Sequence, residues 1–231
     1  MNVRRWLAVA DAEALQQEAV RRILAAAAQA ITARGRFLLV LAGGTTPVGV
    51  YALLAKADSD WPRWQIYFGD ERCLPPDDAA RNSRMAAATW LSQVPIPASA
   101  VHVMPAERGA VAAAHAYSDT LEAVGDFDLV LLGLGEDGHT ASLFPGRDWS
   151  GAAAADVLAI CDAPKPPAQR VSLSAARLSR ARAVLFLVTG ITKRQAVLQW
   201  HAGADIPARA IQPAAGVDVL IESALLPDGM T

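Results

Sequence analysis

The sequence predicts an α/β protein with a Rossmann-like, mostly parallel sheet and helices on both of its faces. Short, continuously apolar runs such as Phe37–Leu41 recur along the chain, and unbroken apolarity is typical of strands covered on both faces. Helix-like segments separate these runs, and strands that alternate with helices form parallel sheets. Several runs end in polar, glycine-rich turns, which is where open α/β sheets place their ligands.

Composition favours one globular domain. The chain has 231 residues, of which 53% are hydrophobic, so we predict a single α/β domain over residues 1–231 rather than a disordered chain. The net charge of -2 gives no reason to expect a nucleic-acid or membrane partner. Two cysteines are too few for a disulfide framework. The N-terminal residues lack a signal-peptide pattern, and no apolar run approaches the ~20 residues that span a bilayer. We therefore expect a cytoplasmic protein.

The first half of the chain contains clear local signals. Asp11 is a typical helix cap and Gly35 a typical helix end, so a helix is predicted between them. The strand Phe37–Leu41 follows, and after a glycine-rich loop Pro47 favours the first turn of a second helix. Further predicted elements are a strand over 66–68, a helix beginning at residues 82–83, a strand over 101–103 and a helix over 109–122.

The second half continues the alternation. Apolar runs predict strands over 127–133, 183–188 and 217–221, and a helix is expected from Lys193 to about Trp200. Two shorter strand-like runs, 157–161 and 171–173, are joined by a stiff proline-rich loop. We expect this pair to form a small antiparallel addition to the main sheet.

The loop Gly43-Gly44-Thr45-Thr46 is a candidate phosphate-binding segment. A strand, a glycine-rich loop and a helix together present backbone N–H groups and a helix N-terminus to an anion. The loop matches neither the Walker pattern nor the dinucleotide fingerprint. Ordinary turn chemistry accounts for these residues equally well when the loop is taken alone.

Three cations lie close to predicted strand ends or helix starts. Arg72 follows a buried strand within Asp70-Glu71-Arg72, and Arg84 lies in the first turn of a helix, where a positive charge is unfavourable unless an anion is near. Guanidinium groups match phosphate oxygens, so these two arginines are predicted to form a phosphate clamp. Lys193 has the same unexplained position at a helix start. A solvated charge cluster is the alternative interpretation of residues 70–72.

The glycine-rich turn over residues 133–146 is where we predict the chemistry. It follows the apolar run 129–132 and contains His139 two residues after Asp137. Histidine titrates closest to neutral pH and is therefore suited to take a proton from water. A structural role in a tight turn is the alternative for a single histidine. His102 and His115 lie on a predicted strand and helix, where structural or solvated roles are favoured.

Together these motifs resemble the 6-phosphogluconolactonases of the glucosamine-6-phosphate isomerase/6-phosphogluconolactonase family. The most specific string is Asp137-Gly138-His139-Thr140-Ala141-Ser142-Leu143-Phe144-Pro145, and the matching motifs extend from about residue 40 to residue 213. The resemblance implies a sheet shared with glucosamine-6-phosphate deaminases and ribose-5-phosphate isomerases. It also implies hydrolysis of 6-phosphogluconolactone in the oxidative pentose phosphate pathway, without a metal or an organic cofactor.

The resemblance also implies roles for individual residues. His139 is the expected general base. Carboxylate partners of histidine orient the imidazole or stabilise its charged form, so either role is expected of Asp137, and the alternative is that it only pins the loop. The expected substrate and phosphate contacts are Gly43, Gly44, Thr45, Thr46, Asp70, Arg72, Arg84 and Lys193. The implied partner is a small-molecule substrate, and the chain is expected to be a monomer or a weak homodimer.

Two other functions are weighed against this one. Deaminases of the family carry a catalytic glutamate where this sequence has Phe144, and an apolar ring cannot relay a proton. A non-catalytic sugar-phosphate binding protein would not require a base beside the cations. A serine esterase mechanism is disfavoured because the sequence lacks a Gly-x-Ser-x-Gly elbow, which leaves Ser142 as a weak alternative nucleophile.

Overall fold

A computed structural model describes residues 3–147 and 155–227. Within them the chain forms nine strands: β1 (Arg4–Val9), β2 (Phe37–Leu41), β3 (Trp64–Phe68), β4 (Asp70–Arg72), β5 (Leu129–Gly133), β6 (Val157–Ile160), β7 (Arg170–Leu173), β8 (Val184–Val188) and β9 (Val217–Glu222). The same residues form six α-helices: α1 (Ala12–Arg34), α2 (Thr46–Leu54), α3 (Asn82–Thr89), α4 (Ala110–Leu121), α5 (Ala175–Ser179) and α6 (Arg194–His201).

The predicted fold class is confirmed. Six strands form a parallel sheet in the order β1-β9-β8-β5-β2-β3, and three form an antiparallel sheet in the order β4-β7-β6. Every residue of β2 and β8 is buried, as their unbroken apolarity predicted. In the described part of the chain, no helix has both the length and the apolarity needed to cross a membrane.

The order of the strands creates a crevice between β2 and β5. From β2 the chain continues to β3 on one side, and it later returns as β5 on the other. Register pairs join β2 to β3 along the whole strand, whereas β2 and β5 pair only at Leu39–Leu129 and Val40–Val130. Loops that leave neighbouring strands in opposite directions open a crevice at the carboxyl ends of the strands. The glycine loop and the His139 turn leave from these two strands.

The first long helix begins and ends where its caps predicted. The side chain of Asp11 accepts a hydrogen bond from the backbone N–H of Ala14 at 2.9 Å. Gly35 follows the last turn with φ 72°, a left-handed conformation that glycine adopts without strain.

Three parts of the sequence prediction need correction. β1 was not predicted, because it is an edge strand whose residues are exposed or half-buried rather than continuously apolar. Residues 101–103 do not form the predicted strand, since Val101 makes a single bridge to Ile66. Asp70–Arg72 was predicted as a polar strand end, but it forms β4 and pairs antiparallel with β7. The small antiparallel sheet therefore has three strands rather than two.

Candidate active site

A cleft of about 300 Å³ lies at the carboxyl ends of β2 and β5. This volume is at the lower end of the range of small-molecule pockets. Four segments supply the predicted residues that line it: the glycine loop, β4, the His139 turn and the start of α6. Predicted residues among its lining are Gly43, Gly44, Thr45, Thr46, Asp70, Arg72, His139 and Lys193.

The glycine loop turns its backbone toward the cleft. Gly44 has φ 91°, a conformation that side chains disfavour. Gly43 lies against Asn82, and a β-carbon on Gly43 would stand 2.1 Å from the amide oxygen Oδ1 of Asn82. α2 then begins at Thr46, and the side chain of Thr45 does not cap it. Pro47 has no N–H group, and the N–H of Val48 donates to the carbonyl of Thr45 at 3.3 Å. The N–H of Thr46 is therefore the group at the start of α2 that can donate to an anion in the cleft.

The turn that carries His139 is built around two glycines. The backbone N–H of Gly135 donates to the carbonyl of His139 at 2.7 Å, and the N–H of Gly138 donates to the carbonyl of Gly135 at 3.0 Å. Gly138 has φ 83° and lies against Ile206. Gly135 lies against the imidazole itself, so a side chain at either position would displace the turn or its histidine.

His139 and Asp137 form a close hydrogen-bonded pair. The distance from Nδ1 of His139 to Oδ1 of Asp137 is 2.5 Å, and the same carboxylate oxygen lies 3.3 Å from the backbone nitrogen of His139. A carboxylate that accepts from Nδ1–H selects one imidazole tautomer. In that tautomer Nε2 has the free lone pair and is the atom that can accept a proton.

Burial lowers the pKa of His139, and this effect outweighs the hydrogen bond and charge of Asp137, which raise it. Burial raises the pKa of Asp137, but its hydrogen bond and charge interaction with His139 leave that pKa below its usual value. Since both pKa values are lowered, at neutral pH the imidazole is neutral and the carboxylate ionised. This is the protonation state that a general base requires.

Two of the predicted cations reach the cleft. Arg72 is half-buried, and its Nη1 donates to the carbonyl of Ala80. Lys193 immediately precedes α6 and lines the same cleft.

Arg84 does not join them. It is exposed on α3 and is not among the cleft-lining residues of the described chain. The anion expected near the start of α3 is the buried carboxylate of Glu71, which accepts hydrogen bonds from the backbone N–H groups of Asn82 and Ser83 at 2.7 and 2.8 Å. The favourable anion for the helix dipole is thus internal to the protein, and Arg84 points to solvent.

Arg170 is a cation of the cleft that the sequence analysis missed. It is only 6% exposed, and it lies opposite Arg72 in the β4–β7 register. Its guanidinium carbon lies 5.5 Å from the ring centroid of Phe144, and that ring is 4.9 Å from the ring of His139. Burial lowers the pKa of Arg170 below its usual value. The sequence feature that could have identified Arg170 is its position at the start of a strand, directly after a proline-rich loop.

Asp70 lines the cleft and accepts hydrogen bonds from two buried side chains. Its Oδ2 accepts a hydrogen bond from the hydroxyl of Ser142 at 2.6 Å, and its Oδ1 accepts one from the amide Nδ2 of Asn82 at 2.9 Å. Ser142 is buried and bonded to Asp70, which makes it a poor candidate for a nucleophile. Asn82 was predicted only as a helix start, but it also lines the cleft.

The described residues include no group of three or more His, Cys, Asp or Glu side chains placed to hold a metal ion. Cys73 and Cys161 are free thiols.

Comparisons with known proteins agree with this geometry. Residues 10–220 match the family described as glucosamine-6-phosphate isomerases/6-phosphogluconolactonase. The chain is 36% identical over 220 residues to the 6-phosphogluconolactonase of Mycobacterium leprae, an alignment that covers 89% of this chain and 88% of the relative.

Solved structures give the same result for the fold. The 6-phosphogluconolactonase of Thermotoga maritima matches with a TM-score of 0.86 and 26% identity, covering 96% of this chain and 100% of that chain. A monomeric glucosamine-6-phosphate deaminase matches with a TM-score of 0.82 and 22% identity, covering 96% and 98%. At that identity the likeness to the deaminase concerns the fold alone.

Proposed function

This chain belongs to the family of glucosamine-6-phosphate isomerases and 6-phosphogluconolactonases, and we propose that it hydrolyses 6-phospho-D-glucono-1,5-lactone with His139 as the general base. The product is 6-phospho-D-gluconate, and the enzyme is a carboxylic ester hydrolase of the oxidative pentose phosphate pathway. The observation that carries the role of His139 is that its imidazole lines a cleft shared with three cations and is bonded to Asp137 at 2.5 Å.

The reaction follows from the state of this pair. Nε2 of His139 takes a proton from a water molecule as the water oxygen attacks the lactone carbonyl carbon. Asp137 holds Nδ1–H and stabilises the imidazolium that forms. When the tetrahedral intermediate collapses, the bond from that carbon to the ring oxygen breaks and the ring oxygen receives the proton from His139. General acid–base help of this kind contributes ~10²–10⁴-fold.

The cations and the glycine loop are assigned to the substrate phosphate. Arg72, Arg170 and Lys193 line the cleft together with the backbone of Gly43 and Gly44. Guanidinium groups and a helix N-terminus both favour phosphate oxygens. The hydroxyls of Thr45 and Thr46 lie on the same loop. Asp70 retains acceptor capacity for a sugar hydroxyl beside its bonds to Ser142 and Asn82.

The environment of Phe144 argues against the deaminase reaction. Phe144 is 1% exposed, and its ring lies close to both the His139 ring and the Arg170 guanidinium, so no acidic group occupies this position beside the histidine. Ring opening of an amino sugar and proton shuttling need such a group. The neutral imidazole bonded to Asp137 likewise favours turnover over simple binding.

The test is a rate measurement on freshly generated lactone, read above spontaneous hydrolysis, with glucosamine 6-phosphate assayed in parallel for ammonia release. The wild type is expected to hydrolyse the lactone and to release no ammonia. His139→Ala should lose about 10²–10⁴-fold in kcat while still binding 6-phosphogluconate. His115→Ala, at an exposed position on α4, is the matched control and should keep the wild-type rate. Full activity of His139→Ala would remove this residue from its role.

We also propose that the protein is located in the cytoplasm and is a monomer or a weak homodimer. The free thiols of Cys73 and Cys161 suit a reducing compartment. Sedimentation velocity over a range of protein concentrations tests the state of assembly, and a stable higher oligomer would contradict it.

A further inference from the structure

The hydroxyl groups of Thr46 and Thr189 are hydrogen-bonded to each other at 2.9 Å. Thr46 is the first residue of α2 and lines the cleft, and Thr189 directly follows β8. Thr189 is half-buried and is not among the cleft-lining residues of the described chain. Its hydroxyl therefore reaches a ligand in the cleft through Thr46 rather than directly.

The bond joins two loops that the sheet does not hold together. In the order of the strands β5 lies between β2 and β8, so β2 and β8 are not paired with each other. The glycine loop leaves from β2, and the segment that carries Lys193 leaves from β8. The bond between Thr46 and Thr189 thus crosses the carboxyl end of β5 and ties together the two loops that flank it.

Other contacts hold the segment after β8 to its own side of the sheet. The backbone N–H of Gly190 donates to the carboxylate oxygen Oε2 of Glu222, at the end of the neighbouring strand β9, at 3.0 Å. The N–H of Lys193 donates to the carbonyl of Gly190, also at 3.0 Å. The hydroxyl of Thr189 adds the bond that reaches toward the glycine loop.

The direction of this bond determines where the proton of Thr46 points. A threonine hydroxyl has one proton to donate and two lone pairs that accept. Either oxygen can be the donor when the two hydroxyls are alone. Thr46 can donate to an anion in the cleft only if its own oxygen accepts the proton of Thr189. A bound anion therefore favours a chain in which Thr189 donates to Thr46 and Thr46 donates to the anion, and each bond of such a chain strengthens the other.

We propose that Thr189 is a positioning residue for the substrate phosphate, which donates its hydroxyl proton to Thr46 and so directs the proton of Thr46 at a phosphate oxygen. The inference rests on the proposed function, because it requires the phosphate to lie beside Thr46. It assigns part of the recognition of phosphate to a residue outside the cleft lining.

Thr189→Val tests the proposal, since it removes the hydroxyl and keeps the branched shape of the side chain. The variant should raise KM for 6-phosphogluconolactone about fivefold and leave kcat unchanged. KM for unphosphorylated gluconolactone should not change. Isothermal titration with 6-phosphogluconate should show the same loss of affinity. Thr189→Ser, which keeps the hydroxyl, should restore most of it.

A double-mutant cycle separates positioning from a general structural role. Thr46→Val removes the group through which Thr189 acts, so the double variant Thr46→Val/Thr189→Val should have the same KM as Thr46→Val alone. Losses that add in the double variant would overturn the proposal, because Thr189 would then act independently of Thr46.

Thr192→Val is the matched control, since it removes the hydroxyl of an exposed threonine in the same segment and should leave every KM unchanged. The proposal is also overturned if Thr189→Val affects both lactones equally or affects neither, or if Thr192→Val has the same effect. An active wild type whose Thr189→Val variant has a normal KM would refute this inference and leave the proposed function standing. An inactive wild type would refute the proposed function, and the titrations with 6-phosphogluconate would then decide the role of Thr189.

Discussion

The imidazole of His139 packs directly on the α-carbon of Gly135: a β-carbon at residue 135 would stand 1.9 Å from Nδ1. Nδ1 is also the atom bonded to Asp137. The absence of a side chain at Gly135 therefore allows the histidine to reach its carboxylate. Glycine is required at residue 135 because the imidazole occupies the space that a side chain would fill, and not only because glycine allows more backbone conformations.

Gly135→Ala should abolish most of the lactonase activity. The methyl group must push the imidazole away from Asp137, because the contact is far shorter than real β-carbons show. We expect a fall in kcat of about 10²-fold or more with the fold retained in circular dichroism. Gly125→Ala is the control, since its β-carbon would meet nothing within 4 Å. Equal activities of the two variants would contradict this account of the turn.

The pH dependence of the rate should report His139. The base must be neutral, so kcat falls as the pH decreases through the pKa of His139. Burial places that pKa below the usual value of about 6.5, so activity should persist into mildly acidic solution. Profiles of kcat separate this effect from the substrate phosphate, whose second pKa of about 6 affects binding. A rate that falls with rising pH over the same range would exclude His139 as the base.

Asp137→Asn should change both the height and the position of this profile. Asp137 raises the pKa of His139 through its hydrogen bond and charge, so a neutral amide should move the acid limb to lower pH. The plateau of kcat should also fall, because the amide stabilises the imidazolium less well. A profile with the wild-type midpoint and height would show that Asp137 only pins the loop.

The two predicted clamp arginines should behave differently. Arg72→Ala removes a cation from the cleft and should raise KM for the phosphorylated lactone by about tenfold or more, with little effect on unphosphorylated gluconolactone. Arg84→Ala removes an exposed charge outside the cleft lining and should leave the preference for phosphate unchanged. Loss of the preference in Arg84→Ala would return that residue to the clamp.

Glu71 should matter for stability more than for chemistry. Its fully buried carboxylate accepts hydrogen bonds from the backbone of Arg72, Asn82 and Ser83, and it lies 3.5 Å from the buried guanidinium of Arg81. Glu71→Ala leaves these buried backbone donors unpaired and removes one of the two carboxylates beside Arg81, which should cost about 3–5 kcal/mol of unfolding free energy. Urea unfolding measures the loss. Glu107→Ala removes the half-exposed partner of Arg81 and should cost clearly less; equal losses would contradict this ranking.

Much of the fold and of the candidate site was predictable because its signals are local. The caps Asp11 and Gly35 bound a helix whatever the rest of the chain does. The unbroken apolarity of β2 and β8 depends only on burial on both faces. The His139 turn and the glycine loop could be placed at the ends of such strands from the sequence, and both line the cleft.

The sequence by itself determined the alternation of strands and helices, the two glycine-rich turns and the presence of His139 beside Asp137. Tertiary structure alone decided which cations share the cleft. Arg170 enters because antiparallel pairing places it opposite Arg72, nearly one hundred residues away along the chain, and Arg84 is left outside because it lies on the exposed face of α3. Strand register and burial decide which charges meet in the cleft, and both depend on contacts between segments that are distant along the chain.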